Sequence, residues 1–203
     1  MTVTTNSRCG HTTVWRSLAI AAIAGAILAC AALAAPRAGA WTPGAAVAGT
    51  CPGADVFPTA KDFALARSSM VCLMNRDRTA RGLRRLAVRP TLNVAAARHS
   101  RDMVRRQYFA HESPTGGTLL SRVRAAGYLR GARSYTLGEN IAWGTGYLAT
   151  PARIHQSLMN SPGHRANILR GAFRNVGVGL ASGVPERVHG AGATWTIDFG
   201  TRR

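Results

Sequence analysis

Acidic residues are scarce in this chain of 203: eight Asp and Glu stand against 26 Lys and Arg, a formal net charge of +18. Lysine is scarcer still, with Lys61 the single example among the basic residues. A field of that sign attracts polyanions: anionic wall polymers, phospholipid headgroups, or nucleic acid held without sequence preference. Arginines kept for solubility account equally well for the same composition. Two catalytic signatures are missing as well. No HExxH helix sets two metal ligands one turn apart, and no GxSxG elbow presents a strained serine.

Cysteines are few, at 9, 30, 51 and 72, and one long apolar segment lacks charge altogether. Residues 18–35 follow Arg8 and Arg16 and precede Arg37 and the small residues Ala38, Gly39 and Ala40. This is the pattern of a secretory signal peptide over residues 1–40, cleaved before Trp41, and it predicts a secreted, extracellular or cell-envelope location. An uncleaved run of about 18 apolar residues is just long enough to anchor a chain in a bilayer, the one route to membrane contact. Cys30 after Ile27, Leu28 and Ala29 loosely resembles a lipoprotein acylation site, but the residues after it stay apolar.

Cleavage removes Arg8, Arg16 and Arg37, leaving 23 basic against 8 acidic residues, near +15. It also removes Cys9 and Cys30, so Cys51 and Cys72 remain in an oxidising compartment and a disulfide between them is expected. Closing a loop of about 20 residues in this way stabilises a fold by about 3 kcal/mol. A free, buried Cys72 on an apolar helix face is the alternative.

Residues 41–60, rich in Gly, Ala, Pro and Thr, have no periodicity and read as a linker ahead of one domain over 61–203. Thr59 and Asp62 have capping-box-like spacing before a first amphipathic helix containing Phe63, Met70, Leu73 and Met74 and ending near Gly82. Pro90 suits the first turn of a second helix whose apolar stripe includes His99, read as a hydrogen-bonded core histidine. A third helix is predicted from Thr118 to Ala126. Thr150–Pro151 and Ser161–Pro162 are successive cap-and-first-turn pairs, which put His164 in the first turn of a short helix. Alternation then predicts two strands, over 175–180 and 194–199, joined by a surface loop over 181–192. Helices first and strands last point to an α+β domain, expected to be a monomer.

Three segments interrupt these patterns with polar residues: YFAHESPTGG at 108–117, GENIAWG at 138–144 and LMNSPGHRANIL at 158–169. In this order, followed by NVGVGL at 175–180 and TWTIDFG at 194–200, they resemble the bacterial secreted branch of the CAP superfamily of cysteine-rich secretory, antigen and pathogenesis-related proteins. The resemblance runs from about residue 68 to 200. It implies an α-β-α sandwich of the SCP type with a cleft lined by two histidines and acidic residues. Carried over by motif, these are His111, Glu139 and His164. Eukaryotic members carry a further glutamate three residues after a tryptophan, and here Ser161 and Leu158 stand at those places.

His111, Glu139 and His164 also form a plausible ligand set for Zn²⁺ or another divalent ion with a position left open for water. Against this, Glu139 accepting backbone N–H bonds and His164 pinning its helix to the cleft explain the same residues. Ser161 or Ser113 as nucleophile beside His164 or His111 is a further reading, although both serines have ordinary cap or turn duties. Asn140, Asn160 and Asn167 are expected to bond backbone around the cleft, Arg165 to attract an anion, and Trp143 and Trp195 to belong to the core. The preferred reading is a non-enzymatic module whose cleft (His111, Glu139, Ser161, His164) holds a lipid, wall glycan or other anionic ligand. A metal-assisted or serine hydrolase of peptide or wall substrates, and a basic protein binding polyanions through its arginines, are the alternatives.

Overall fold

The computed structural model describes residues 51–203 apart from His189. The expected signal segment, Cys9, Cys30 and the first half of the expected linker lie outside the described residues. Helix α1 (Phe63–Thr79) buries Ala66, Met70, Leu73 and Met74, a stripe at i, i+4, i+7 and i+8. Helix α2 (Pro90–Arg106) has proline in its first turn and ends at Gln107, whose φ of 54° is left-handed. Helix α3 (Leu119–Ala125) starts on a reciprocal capping box between Thr118 and Ser121. Helices α4 (Pro151–Asn160) and α5 (Pro162–Leu169) begin as expected after Thr150 and Ser161, but neither hydroxyl makes a cap bond. There the preset φ of proline carries the helix start without help from the capping side chain. Among the described residues, no helix is long and apolar enough to cross a membrane.

The strands are β1 (Ala87–Val88), β2 (Tyr135–Thr145), β3 (Asn175–Ser182) and β4 (Gly192–Arg202), ordered β1-β3-β4-β2 in one sheet. Only the β1–β3 pair is parallel. Strands β3 and β4 fall where alternation puts them. Strand β2 is not foreseen by pattern, because Gly138, Glu139, Asn140 and Gly144 are poor strand formers; eleven consecutive pairings with β4 override that preference.

Residues paired across strands share a face, and the two faces differ in kind. Val176, Val178 and Leu180 of β3, with Phe199, Ile197 and Trp195 opposite them on β4, form one apolar core with Met70 and Met74 of α1, Ile154 and Leu158 of α4 and Ile168 of α5. On the other face, Gly177 and Gly179 let α2 lie directly on the sheet. A Cβ on Gly177 would come within 2.2 Å of the Leu92 backbone carbon, and one on Gly179 within 2.0 Å of the Ala97 nitrogen. That face also buries Thr194, Thr196, Asp198 and Glu139, and Ser100 of α2 donates to Thr196 Oγ1 at 2.9 Å. The product is the expected sandwich, with α1, α4 and α5 on one side and α2 and α3 on the other.

Two fastenings lie on the apolar side. Cys51 and Cys72 are joined as a disulfide, and the Ala152 N–H donates to the Ala54 carbonyl at 2.8 Å, so the stretch from Cys51 onward is packed onto the domain although it reads as linker. The fully buried Arg78 donates to the carbonyls of Arg84, Ile168, Arg170 and Phe173. It thereby satisfies carbonyls left open where α5 ends and fixes the helix that carries His164.

Candidate functional site

Glu139 sits on β2, the edge strand of the sheet, with its carboxylate on the polar face and buried. One oxygen, Oε1, accepts from His111 Nδ1 at 2.9 Å, and the other, Oε2, accepts from Arg122 Nη2 at 2.6 Å. Burial pushes this carboxyl up, but the His111 bond and the Arg122 charge outweigh it and hold the pKa below the usual value. His111 responds in the opposite direction: its bond to Glu139 raises its pKa against a smaller effect of burial. With Nδ1 committed, Nε2 of this half-exposed imidazole is left facing outward.

The loop between α2 and α3 that carries His111 is tied down by Asp102. Its Oδ2 accepts from Tyr108 Oη and Ser113 Oγ, each at 2.8 Å, while Arg105 and Arg106 reach Oδ1. Burial pushes Asp102 up, but these bonds from Ser113, Tyr108 and the arginines dominate and hold it well below the ordinary carboxylate range. Arg122 adds two backbone contacts, donating to the carbonyls of His111 and Gly117. His164 enters from α5, where its carbonyl accepts from Asn140 Nδ2 at 3.0 Å. Asn167 of the same helix donates to the Glu139 carbonyl and to Asn140 Oδ1. Burial, and then the charge of His111, lower the His164 pKa, so the two imidazoles sense one another.

The structure therefore brings His111 and Glu139 into contact, sets His164 within electrostatic reach, and gives Asn140 and Asn167 the backbone-holding duties expected of them. Asn160 is exposed and makes no such bond. Ser161 stands between α4 and α5 with its hydroxyl bonded to neither histidine, and the Ser113 hydroxyl is occupied by Asp102 and Thr115. Trp195 is a core residue whose Nε1 donates to the Ala149 carbonyl at 3.2 Å. His99 is buried and bonded through Nε2 to the Ala110 carbonyl at 3.0 Å, as a core histidine should be. The same nitrogen lies 3.9 Å from Glu139 Oε1, which places His99 at the site's inner wall. Burial lowers its pKa more than Glu139 raises it.

Pattern reading missed three participants. Arg122 is one arginine among many and has no local mark. Asp102 looks like an ordinary helix-surface acid. Asp198, directly opposite Glu139 on β4, is fully buried; burial first and the Glu139 charge second raise its pKa well above normal, favouring the neutral acid. Its alternation with Thr194 and Thr196 did mark it as belonging to a polar face.

The donor set does not fit a divalent-ion site as arranged. His111 Nδ1 and Glu139 Oε1 face each other as donor and acceptor, and Arg122 takes the second oxygen. Among the described residues, no three His, Cys, Asp or Glu side chains gather in a way that could hold a metal.

A model of the cysteine-rich secretory protein family, CAP, matches residues 71–199. The Bacillus subtilis protein YkwD is 37% identical over 131 residues, covering 64% of this chain and 45% of YkwD. The Bacillus subtilis membrane protein YlbC is 36% identical over 109 residues, covering 53% of this chain and 29% of YlbC. The matched part is thus less than half of either relative. Among solved structures, an extracellular SCP-domain protein of Bacillus anthracis superposes with a TM-score of 0.55 at 29% identity, over 70% of this chain and 43% of that one. An outer surface protein of Borrelia burgdorferi shares the fold, with a TM-score of 0.53 at 17% identity over 66% of this chain and 90% of its own.

Proposed function

We propose, from the premise that this chain belongs to the CAP family of cysteine-rich secretory proteins, that it is a non-enzymatic binding module acting at or outside the cell envelope, whose cleft holds an anionic ligand. The observation that carries this reading is the pairing of Glu139. One of its oxygens is taken by the Arg122 guanidinium and the other by His111 Nδ1, so the buried carboxylate is charge-paired and acts to orient His111. When protonated, His111, whose pKa is raised, then offers its second N–H to an anion, with His164 near enough to feel its charge. Phosphate is the simplest such group, carried by lipid headgroups and wall polymers alike. The net charge of +18 brings polyanions to this surface.

The test is titration of the purified protein with inorganic phosphate, and with phosphatidylglycerol vesicles beside phosphatidylcholine ones. Binding should be stronger below the raised His111 pKa and should fall by about tenfold in His111→Gln. Equal binding by both proteins at all pH values overturns the reading.

The same dyad supports a second reading. Glu139 fixes the Nδ1–H tautomer of His111 and leaves Nε2 free to take a proton from water, as a general base in hydrolysis of peptide or wall substrates would require. No serine hydroxyl among the described residues is bonded to either histidine, so water is the nucleophile this geometry would serve. Turnover lost in a folded Glu139→Gln variant would establish the enzyme and displace the binding module.

A further inference from the structure

A groove of about 640 Å³ opens between the end of β2, the turn that follows it and α4. That is the size of a small-molecule site. Helical spacing builds one of its walls: Ile154, His155 and Leu158 of α4 are buried, so Arg153, Gln156, Ser157 and Asn160, at i, i+3, i+4 and i+7, share the other face. Across from them stand Thr145 of β2 and two large aliphatic groups, Leu148 at 62% exposure and Val188 at 43%. Exposed aliphatic side chains gathered in a concavity mark a contact surface.

The polar groups of the lining fall into two sets. Arg153 is committed: Nη1 donates to Gln156 Oε1 at 2.9 Å, Nη2 donates to the Tyr147 hydroxyl, and the guanidinium lies over the Tyr147 ring at 4.4 Å. The hydroxyls of Thr145 and Ser157 and the amide of Asn160 bond to no other described residue. No acidic residue among the described ones lines the groove. The side chains left to meet a ligand are therefore neutral donors and acceptors beside aliphatic carbon, in a chain whose formal net charge is +18. A pyranose ring has the matching surface, with hydroxyls around its rim and C–H groups on its faces.

From this lining we infer that the groove between β2 and α4 binds a neutral oligosaccharide of pyranose rings. Thr145, Ser157 and Asn160 hydrogen-bond its hydroxyls, and Leu148 and Val188 cover the C–H face of a ring. Arg153, held by Tyr147 and Gln156, shapes the wall. This site goes beyond the anion cleft: it uses none of His111, Glu139 or His164, and Thr145 stands six residues along β2 from Glu139, about 20 Å away.

The probes are cellotetraose and the N-acetylglucosamine tetramer, both uncharged, titrated into the uniformly ¹⁵N-labelled protein. At least one should shift the backbone amides of Thr145, Leu148 and Ser157 and the side-chain NH₂ of Asn160, while the His111 amide stays in place. Raising salt from about 50 to about 500 mM should change the affinity by less than about twofold, because a neutral ligand releases no counterions. Asn160→Ala and Leu148→Ala, at exposed positions that leave the core intact, should each weaken binding by about tenfold. His111→Gln should leave sugar binding unchanged, and Asn160→Ala should leave phosphate binding unchanged. Four results overturn the inference: no shifts with either sugar at about 10 mM, shifts centred on His111 and His164, full binding retained in both groove variants, or groove shifts produced only by an anionic hyaluronan tetrasaccharide and lost at high salt.

Discussion

The two faces of the sheet are built on different physics. Toward α1, α4 and α5 the sheet presents Val176, Val178, Leu180, Trp195, Ile197 and Phe199 to a continuous apolar core. Toward α2 it presents glycines, threonines and two carboxyls, and close packing there depends on the missing side chains of Gly177 and Gly179. The first face stabilises by area removed from water, and its residues are exchangeable within limits of volume. The second depends on which of its buried polar groups find partners: Glu139 and Thr196 do, whereas neither oxygen of Asp198 has a hydrogen-bond partner among the described residues.

Substitutions on the two faces should therefore differ in size and in how they are rescued. Trp195→Ala, on the apolar face, should cost the most, about 4 kcal/mol in denaturant unfolding, and only a residue of similar volume should restore it. On the polar face, Arg122→Ala strands the buried Glu139 carboxylate and should cost about 3 kcal/mol. Pairing it with Glu139→Gln should recover most of that loss. A double variant no more stable than Arg122→Ala alone would remove the pairing argument. Asp102→Asn weakens the bonds that hold the His111 loop and should cost about 1 kcal/mol while raising proteolytic cleavage near Phe109, itself exposed.

The smallest effect is expected for Asp198→Asn in the pH range where the carboxyl is protonated, under about 1 kcal/mol, because an amide replaces a neutral carboxyl of similar shape whose pKa burial raises. Outside that range it becomes the sharpest comparison. A carboxyl with a raised pKa in the fold contributes stability below its unfolded value, and that contribution fades as pH rises from the ordinary carboxylate range through the raised folded value, so Asp198 makes the polar face lose stability toward higher pH. His155 of α4, 3.0 Å from Asp77 of α1, does the reverse on the apolar side. Burial lowers its pKa to about 4 against the pull of Asp77, so stability is lost as pH falls from the ordinary histidine range toward that value. Melting temperatures across pH should show the fall above the ordinary carboxylate range flattened in Asp198→Asn and the acid slope flattened in His155→Gln. Unchanged slopes in both would contradict these assignments.

Much of the apolar face was legible from periodicity alone. The stripe Met70, Leu73, Met74 and the alternation in NVGVGL and TWTIDFG specify which side chains meet the core, because helix and strand periods are local properties of the chain. The motifs GENIAWG and SPGHRANIL placed Glu139 and His164, and the same resemblance gave His111. The polar face resisted such reading. Strand β2 is built from residues with weak strand preference, His99 could be read as core but not as Glu139's neighbour, and Arg122 became the second partner of Glu139 only through a helix packed 17 residues upstream.

By itself, the sequence determined the helices, two of the four strands, the family to which the chain belongs and the trio His111, Glu139 and His164. The tertiary structure alone decided that Glu139 is paired with Arg122 as well as with His111, and that Asp198 lies opposite it. The division follows from range. Hydrophobic period and helix starts are set by neighbours a few residues away, whereas a buried charge is defined by whatever the fold places against it, and no local pattern records that choice.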